Sequence, residues 1–327
     1  MGKEAFMLNS LIFIFASALW AAPVPAAPKV VPEPPLKTLA WHSAAVETLA
    51  VSPTGEYLAS AGLDTNVALW TVKTGKLKKT MGGHTDTIWG LDFSPDGEYV
   101  ASLGNQVIEV WKVPSGANFT SIQGQSFSMY GVRFSPVGEY IASGGLNSVG
   151  VWSFPGGDLI HTMKAQVENV YSIAVSPNGN YIVAGNGNGS MTVWNVADSK
   201  VIKSIAAHKQ PVRSVAVTND GSYAVSASMD GSIKVWRLSD GALVNGYMAH
   251  KGGVRAVAVS PDGRYAASGG MDNAVKVWHL LPKNKQRTPV KQYLDHADSV
   301  EAVVFFPDGK TLASGSKDKT VKIWKAP

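Results

Sequence analysis

The run Thr311-Leu-Ala-Ser-Gly-Ser-Lys-Asp-Lys-Thr-Val-Lys-Ile-Trp324 decides how the chain is organised. Thr311 to Ser314 and Thr320 to Trp324 are short and rich in β-forming residues, and Gly315 and Asp318 between them supply a turn. Close relatives of the run lie upstream at Tyr57–Trp70, Ala224–Trp236 and Ala266–Trp278. The chain reads as a repeat, and its period fixes what else to look for.

Tryptophan recurs at Trp70, Trp111, Trp152, Trp194, Trp236, Trp278 and Trp324, at intervals of 41, 41, 42, 42, 42 and 46 residues. A turn precedes each: Ser52-Pro-Thr-Gly55, Ser94-Pro-Asp-Gly97, Ser135-Pro-Val-Gly138, Ser176-Pro-Asn-Gly179, Thr218-Asn-Asp-Gly221, Ser260-Pro-Asp-Gly263 and Phe306-Pro-Asp-Gly309. Proline presets φ at the second turn position and glycine admits positive φ at the fourth. In the sixth period Val254–Val259, Arg264–Ser268 and Ala274–Trp278 read as strands, and no segment after residue 40 keeps a helical period. Four strands in each of seven periods predict an all-β radial array.

Bulk composition narrows the function classes. Of 327 residues, 45% are hydrophobic and 16% charged, so a large core is available. A net charge of +5 is far from the dense basic stripe of a nucleic-acid binder, and no nucleic-acid partner is expected. The chain has no cysteine, which excludes disulfides, thiol catalysis and thiolate metal sites.

The N-terminus is different material. Lys3, the apolar run Leu11-Ile-Phe-Ile-Phe15 and the small residues Ala16-Ser17-Ala18 follow the order of a secretory signal over residues 1–26, although Glu4 offsets Lys3. Cleavage is expected after Ala18 or Ala26, because Pro23 and Pro28 disfavour a cut directly before them. Residues 27–35 form a linker within the Pro- and Ala-rich run Pro23–Pro35. The alternative is an uncleaved anchor, for which Phe6–Ala22 is barely long enough and is interrupted by Asn9 and Ser10. Export to a bacterial periplasm or the cell exterior follows from the first reading, and a membrane association only from the second. The sequons at Asn118 and Asn188 matter only in a eukaryotic secretory route.

Over about residues 36–327 the repeat resembles the WD40 family. The family's mark is a hydrogen-bonded set of His, Ser or Thr, Asp and Trp. Four repeats carry it whole: His42, Ser60, Asp64, Trp70; His208, Ser226, Asp230, Trp236; His250, Ser268, Asp272, Trp278; and His296, Ser314, Asp318, Trp324. An imidazole can link carboxylate to hydroxyl while the indole N–H donates to that hydroxyl, so buried polar atoms satisfy one another. The second repeat keeps His84, Ser102 and Trp111 but is shortened at Gly104-Asn105-Gln106. The third has Gln125 and Asn147, the fourth Gln166, Ala184 and Asn188, and no repeat has a Trp-Asp dipeptide. Looser packing is expected in blades two to four. The resemblance implies a seven-bladed β-propeller of four-stranded antiparallel blades. The seventh repeat supplies three strands, and Leu36-Lys-Thr-Leu39 matches other fourth strands, so it is expected to complete the last blade beside Lys322–Trp324.

The periodic histidines and acids are explained as structure, and His161 and His279 read as surface residues. Neither a metal nor another cofactor is expected: no phosphate loop, HExxH or calcium loop occurs, and Gly185-Asn-Gly-Asn-Gly189 falls in a turn. Function is sought where the repeats differ. The first strand has apolar residues at 46, 49 and 51, which breaks the two-residue alternation and predicts a bulge. The bulge would re-aim Glu47, Trp89, Tyr130, Tyr171, Arg213, Arg255 and Glu301 towards the mouth of a central channel, each followed by a small residue. Aromatic and arginine side chains dominate binding hot spots. Leu63, Leu146, Met229, Met271 and Lys317 add a largely apolar rim. The expectation is a non-catalytic scaffold holding a protein or peptide on this face. The bland alternative is that the aromatics plug the channel while the charges pair off. A small-ligand or enzymatic propeller using the channel mouth is the second functional class, with Glu47 and Glu301 its only adjacent acids. The basic run Leu281–Arg287 on the other face reads as a solvated loop.

Overall fold

Each period folds into a blade because its strands are short and its middle strands are buried on both faces, while Pro, Gly and Asn fall between them. The computed structural model describes residues 33–124, 129–281 and 287–327, without the side chains at 166 and 168. The expected leader, most of the linker, Gln125, the Gln166 side chain and residues 282–286 of the basic loop lie outside the described residues. Among the described residues the secondary structure is strand alone, and no helix is long and apolar enough to cross a membrane.

In the first blade the antiparallel order from the axis outwards is Val46–Val51, Tyr57–Gly62, Asn66–Thr71 and Lys76–Gly82. The second, fifth and sixth blades repeat this order. The third and fourth share a six-stranded sheet, in which Tyr140–Ser153 and Leu159–Val175 each run through two strand positions. Leu146 pairs with Asn169 there, so the pairing continues past the turn instead of stopping at it.

The seventh blade is completed from the other end of the chain. Lys37–Ala40 pairs antiparallel with Thr320–Lys325, with Lys37 opposite Ile323 and Ala40 opposite Thr320. The strand lies one residue later than expected; Leu36 still donates its backbone N–H to Ile323 O at 2.7 Å. The innermost strand of every blade adjoins that of the next, and Val300–Phe305 adjoins Val46–Val51, so the ring closes.

The core is distributed over the seams. Each of the seven seams between neighbouring blades has its own apolar cluster. At the closing seam Leu39, Val321 and Ile323 pack with Val46, Leu49 and Phe306, so the N-terminal strand contributes side chains as well as hydrogen bonds. Burying one such side chain is worth about 1.5–3 kcal/mol, and a closed ring leaves no seam exposed. The outermost strands of blades three to five expose Leu159 and Ile160, Val201 and Ile202, and Leu243 and Val244 at their starts.

Candidate partner-binding site

Within the blades, the polar sets hold the innermost two strands to the third. His42 contacts Ser60 Oγ through Nε2 at 2.7 Å and Asp64 Oδ2 through Nδ1 at 2.8 Å, while Trp70 Nε1 donates to Ser60 Oγ at 2.8 Å. The sets at His208, His250 and His296 repeat the arrangement, with imidazole–carboxylate distances of 2.9, 2.6 and 2.7 Å. Burial lowers the pKa of His208 and His250 against the pull of Asp230 and Asp272. The carboxyls of Asp272 and Asp318 lie well below the usual range: burial works against this, but hydrogen bonds from His250 and Lys276, and from His296 and Thr320, outweigh it.

The incomplete sets fail in stages. His84, Ser102 and Trp111 keep their contacts at 2.7 and 2.8 Å, but a two-residue turn with Asn105 at φ 52° leaves no carboxylate, and burial lowers the His84 pKa. In the fourth blade Ala184 stands where Ser would accept, and the fully buried Trp194 Nε1 has no hydrogen-bond partner among the described residues. Asn186 is also fully buried; its amide N–H group donates to Ser190 and Thr192, while its Oδ1 accepts nothing among the described residues. His161 and His279 are half-buried, and His279 stacks on Tyr265 at 5.1 Å.

All seven innermost strands have a register shift at the same place, between Val46 and Thr48 and at each equivalent. The residue inside the shift is the skipped one: Glu47, Trp89, Tyr130, Tyr171, Arg213, Arg255 or Glu301. Skipping a residue bends the strand and turns that side chain out of the blade-to-blade core. All seven are half-buried, and all seven line one cavity of about 120 Å³ around the axis. The following residues are small, and at Gly90 the next blade is what crowds the position, whereas at Gly131 an added Cβ would meet Ile173 N only at 3.8 Å. A Cβ on Gly90 would stand 2.8 Å from Val132 N, and Ser172 and Ser214 use the same space to accept Val215 N and Val257 N at 3.1 Å.

Around the ring the side chains sort into an aromatic arc and a charged arc. Trp89 meets Tyr130 edge-on at 6.5 Å, and Tyr130 meets Tyr171 at 5.1 Å. The Arg213 guanidinium lies 4.5 Å from the centre of the Tyr171 ring. Arg255 Nε is 3.4 Å from Glu301 Oε2, Lys317 Nζ is 3.6 Å from Glu301 Oε1, and Ser299 Oγ donates to the same oxygen at 2.7 Å. Burial, then the charge of Glu301, pushes the Glu47 carboxyl up to about 7, against the cations at Lys317, Arg255 and Arg213. Arg133, which sequence reasoning did not single out, also lines the cavity and donates to Leu91 O and Val132 O. It sits beside Asp92, whose carboxyl burial raises to about 6 although it accepts Phe134 N–H at 2.8 Å. The signal for this pair was an Asp and an Arg at matching positions in successive repeats.

The rim is mixed. Leu63, Leu146 and Met271 are exposed, Met229 is half-buried, and Lys317 turns in to Glu301. No group of three or more His, Asp or Glu side chains that could hold a metal occurs among the described residues. Arg287, at the end of the basic loop, donates to Gly246 O at 2.6 Å.

A family model described as "WD domain, G-beta repeat" matches residues 33–71, 75–112, 116–153, 157–195, 199–237, 241–279 and 287–325. No match is found among curated proteins.

Proposed function

The chain belongs to the WD40-repeat family, whose repeats generally mediate protein–protein interaction, and from that premise we propose that it is a non-catalytic scaffold that binds a protein or peptide at the channel mouth. The observation carrying this reading is the convergence of Glu47, Trp89, Tyr130, Tyr171, Arg213, Arg255 and Glu301 on one cavity. Three aromatics and two arginines on a rigid closed ring have hot-spot composition, and rigid presentation lowers the ordering cost of binding. The exposed Leu63, Leu146 and Met271 give a partner apolar surface beyond the cavity. The cavity's volume supports a macromolecular partner over a free small ligand, because ligand pockets usually span roughly 300–1,000 Å³.

The test is crosslinking and mass spectrometry of the native complex, compared with a Trp89→Ala/Arg213→Ala double variant. Loss of the partner at unchanged thermal stability supports the site; intact capture overturns it. The scaffold is further proposed to act after export, on the charge, apolar run and small residues of the first 26 positions. Sequencing the mature N-terminus checks this: Leu19 or Ala27 supports it, and an intact leader in the membrane fraction overturns it.

A further inference from the structure

Arg213 is a cation without a counterpart. Its guanidinium lies over the Tyr171 ring, and Arg213 is half-buried and makes no hydrogen bond or ion pair with any described residue. The ring shields one side of the guanidinium, and none of its N–H groups bonds to a described residue. Its neighbour Arg255 pairs with Glu301 at 3.4 Å, yet its buried Nε meets no described acceptor with hydrogen-bond geometry. Two guanidinium groups on adjacent blades therefore face one cavity with unspent donors.

The acids nearby do not neutralise them fully. Glu301 also accepts from Ser299 and pairs with Lys317, so its two oxygens serve three groups. Glu47 holds its proton up to about 7, so near neutrality much of it carries no charge. Arg133 adds a further cation to the cavity wall. A desolvated cation without a partner is costly, and a planar oxyanion is the group that matches a guanidinium fork.

We infer that the channel mouth takes a carboxylate from the partner, held in the plane of Arg213 and reached by Arg255, with Trp89 and Tyr130 flanking its stem. This rests on the channel-mouth reading above and adds the chemistry of what enters. Size agrees: about 120 Å³ is small beside the roughly 300–1,000 Å³ of ligand pockets and suits one side-chain end or chain terminus. The carboxylate can come from an Asp or Glu side chain or from a C-terminus.

The experiment is selection of a randomised peptide library on the full chain, followed by titration of the enriched peptides. Enriched peptides are expected to share an acidic side chain or a free C-terminus. Replacing Asp or Glu by Asn or Gln, or amidating the terminus, identifies the source and should weaken binding about tenfold or more. In Arg213→Gln the same replacement should cost about twofold or less, and in Arg255→Lys a cost between that and the wild-type one. Both variants are expected to fold, because Arg213→Gln removes a cation with free donors and Arg255→Lys keeps a cation beside Glu301. Neutral or basic anchors lost in Trp89→Ala would overturn the carboxylate inference and keep the channel-mouth reading. Peptides indifferent to both Trp89→Ala and Arg213→Gln, or an empty selection, would overturn both.

Discussion

Glu47 and Glu301 share the channel mouth on either side of the seam that joins the seventh blade to the first, and burial there, reinforced by the Glu301 charge, keeps Glu47 protonated well above its ordinary range. Burial is the larger cause and the Glu301 charge the second, together raising the carboxyl from 4.5 to about 7. The sign follows from proton counting. Between pH 4.5 and about 7 the folded chain holds a proton that the unfolded chain has released, so stability falls as pH rises through that window. Glu47→Gln should remove this loss and gain on the order of 2 kcal/mol over wild type at pH 8. Its advantage should vanish below pH 4.5. Denaturant titrations of both proteins at pH 4, 6 and 8 check it; a pH-independent difference would mean that Glu47 does not titrate there.

The blade sets respond in the opposite direction. His84, His208 and His250 have lowered pKa values, so the fold prefers their neutral forms. Their contribution is complete above the ordinary value of 6.5 and is lost as pH falls towards the folded values. Asp272 and Asp318 are depressed, so their contribution persists down to about 3.8 and is lost below it. Asp92, whose carboxyl burial raises to about 6, pulls the other way between pH 3.8 and 6, so in a Glu47→Gln/Asp92→Asn background stability should fall continuously from pH 6.5 downwards, steepening below 4. A flat profile between pH 7 and 4 would show that the histidines do not couple to folding.

The fold was legible because its signals were local and repeated. Apolar residues at 46, 49 and 51 marked a bulge that appears in all seven innermost strands. Leu36-Lys-Thr-Leu39 marked the closing strand to within one residue, since one residue of register is set by hydrogen bonding to Ile323 and not by composition. Contacts between blades were not legible. The period places Arg213 next to Tyr171 and Glu301 next to Arg255 around the ring, but rotamers decide that the first pair stacks and the second makes an ion pair. The shared sheet of the third and fourth blades was also hidden, because it depends on Leu146 meeting Asn169 where four other repeats turn on an Asp.

Closure by the N-terminal strand makes Leu39 a structural side chain despite its distance from Val321 and Ile323 in sequence. Leu39 is 3% exposed at the seam that also holds Val46 and Phe306. Leu39→Ala should cost about 2–5 kcal/mol through lost burial and the cavity left behind. Leu36→Ala, whose side chain is 58% exposed, should cost far less although its backbone bonds to the same strand. Deleting residues 34–40 should lower the melting temperature sharply by opening the seam and uncovering the edge at Thr320–Lys325. Unchanged melting in the deletion would show that the seventh blade is stable with three strands.

Trp194 is where the repeat's own chemistry was given up. Its indole N–H is fully buried with no acceptor among the described residues, while Trp70, Trp111, Trp236, Trp278 and Trp324 donate to a Ser Oγ at 2.8–2.9 Å. The difference is one atom, because Ala184 occupies the position of Ser60 and its equivalents. A buried unsatisfied donor costs about 1–3 kcal/mol, and a made hydrogen bond returns about 1 kcal/mol. Ala184→Ser should therefore stabilise the protein by about 1 kcal/mol in denaturant titration, against the usual trend for placing a hydroxyl in a core. The control is the double variant Ala184→Ser/Trp194→Phe, compared with Trp194→Phe alone. With no indole to accept from, the new hydroxyl should lose its benefit, so the double variant should be no more stable than the single one. A gain that survives in the double variant would show that the stabilisation comes from another partner.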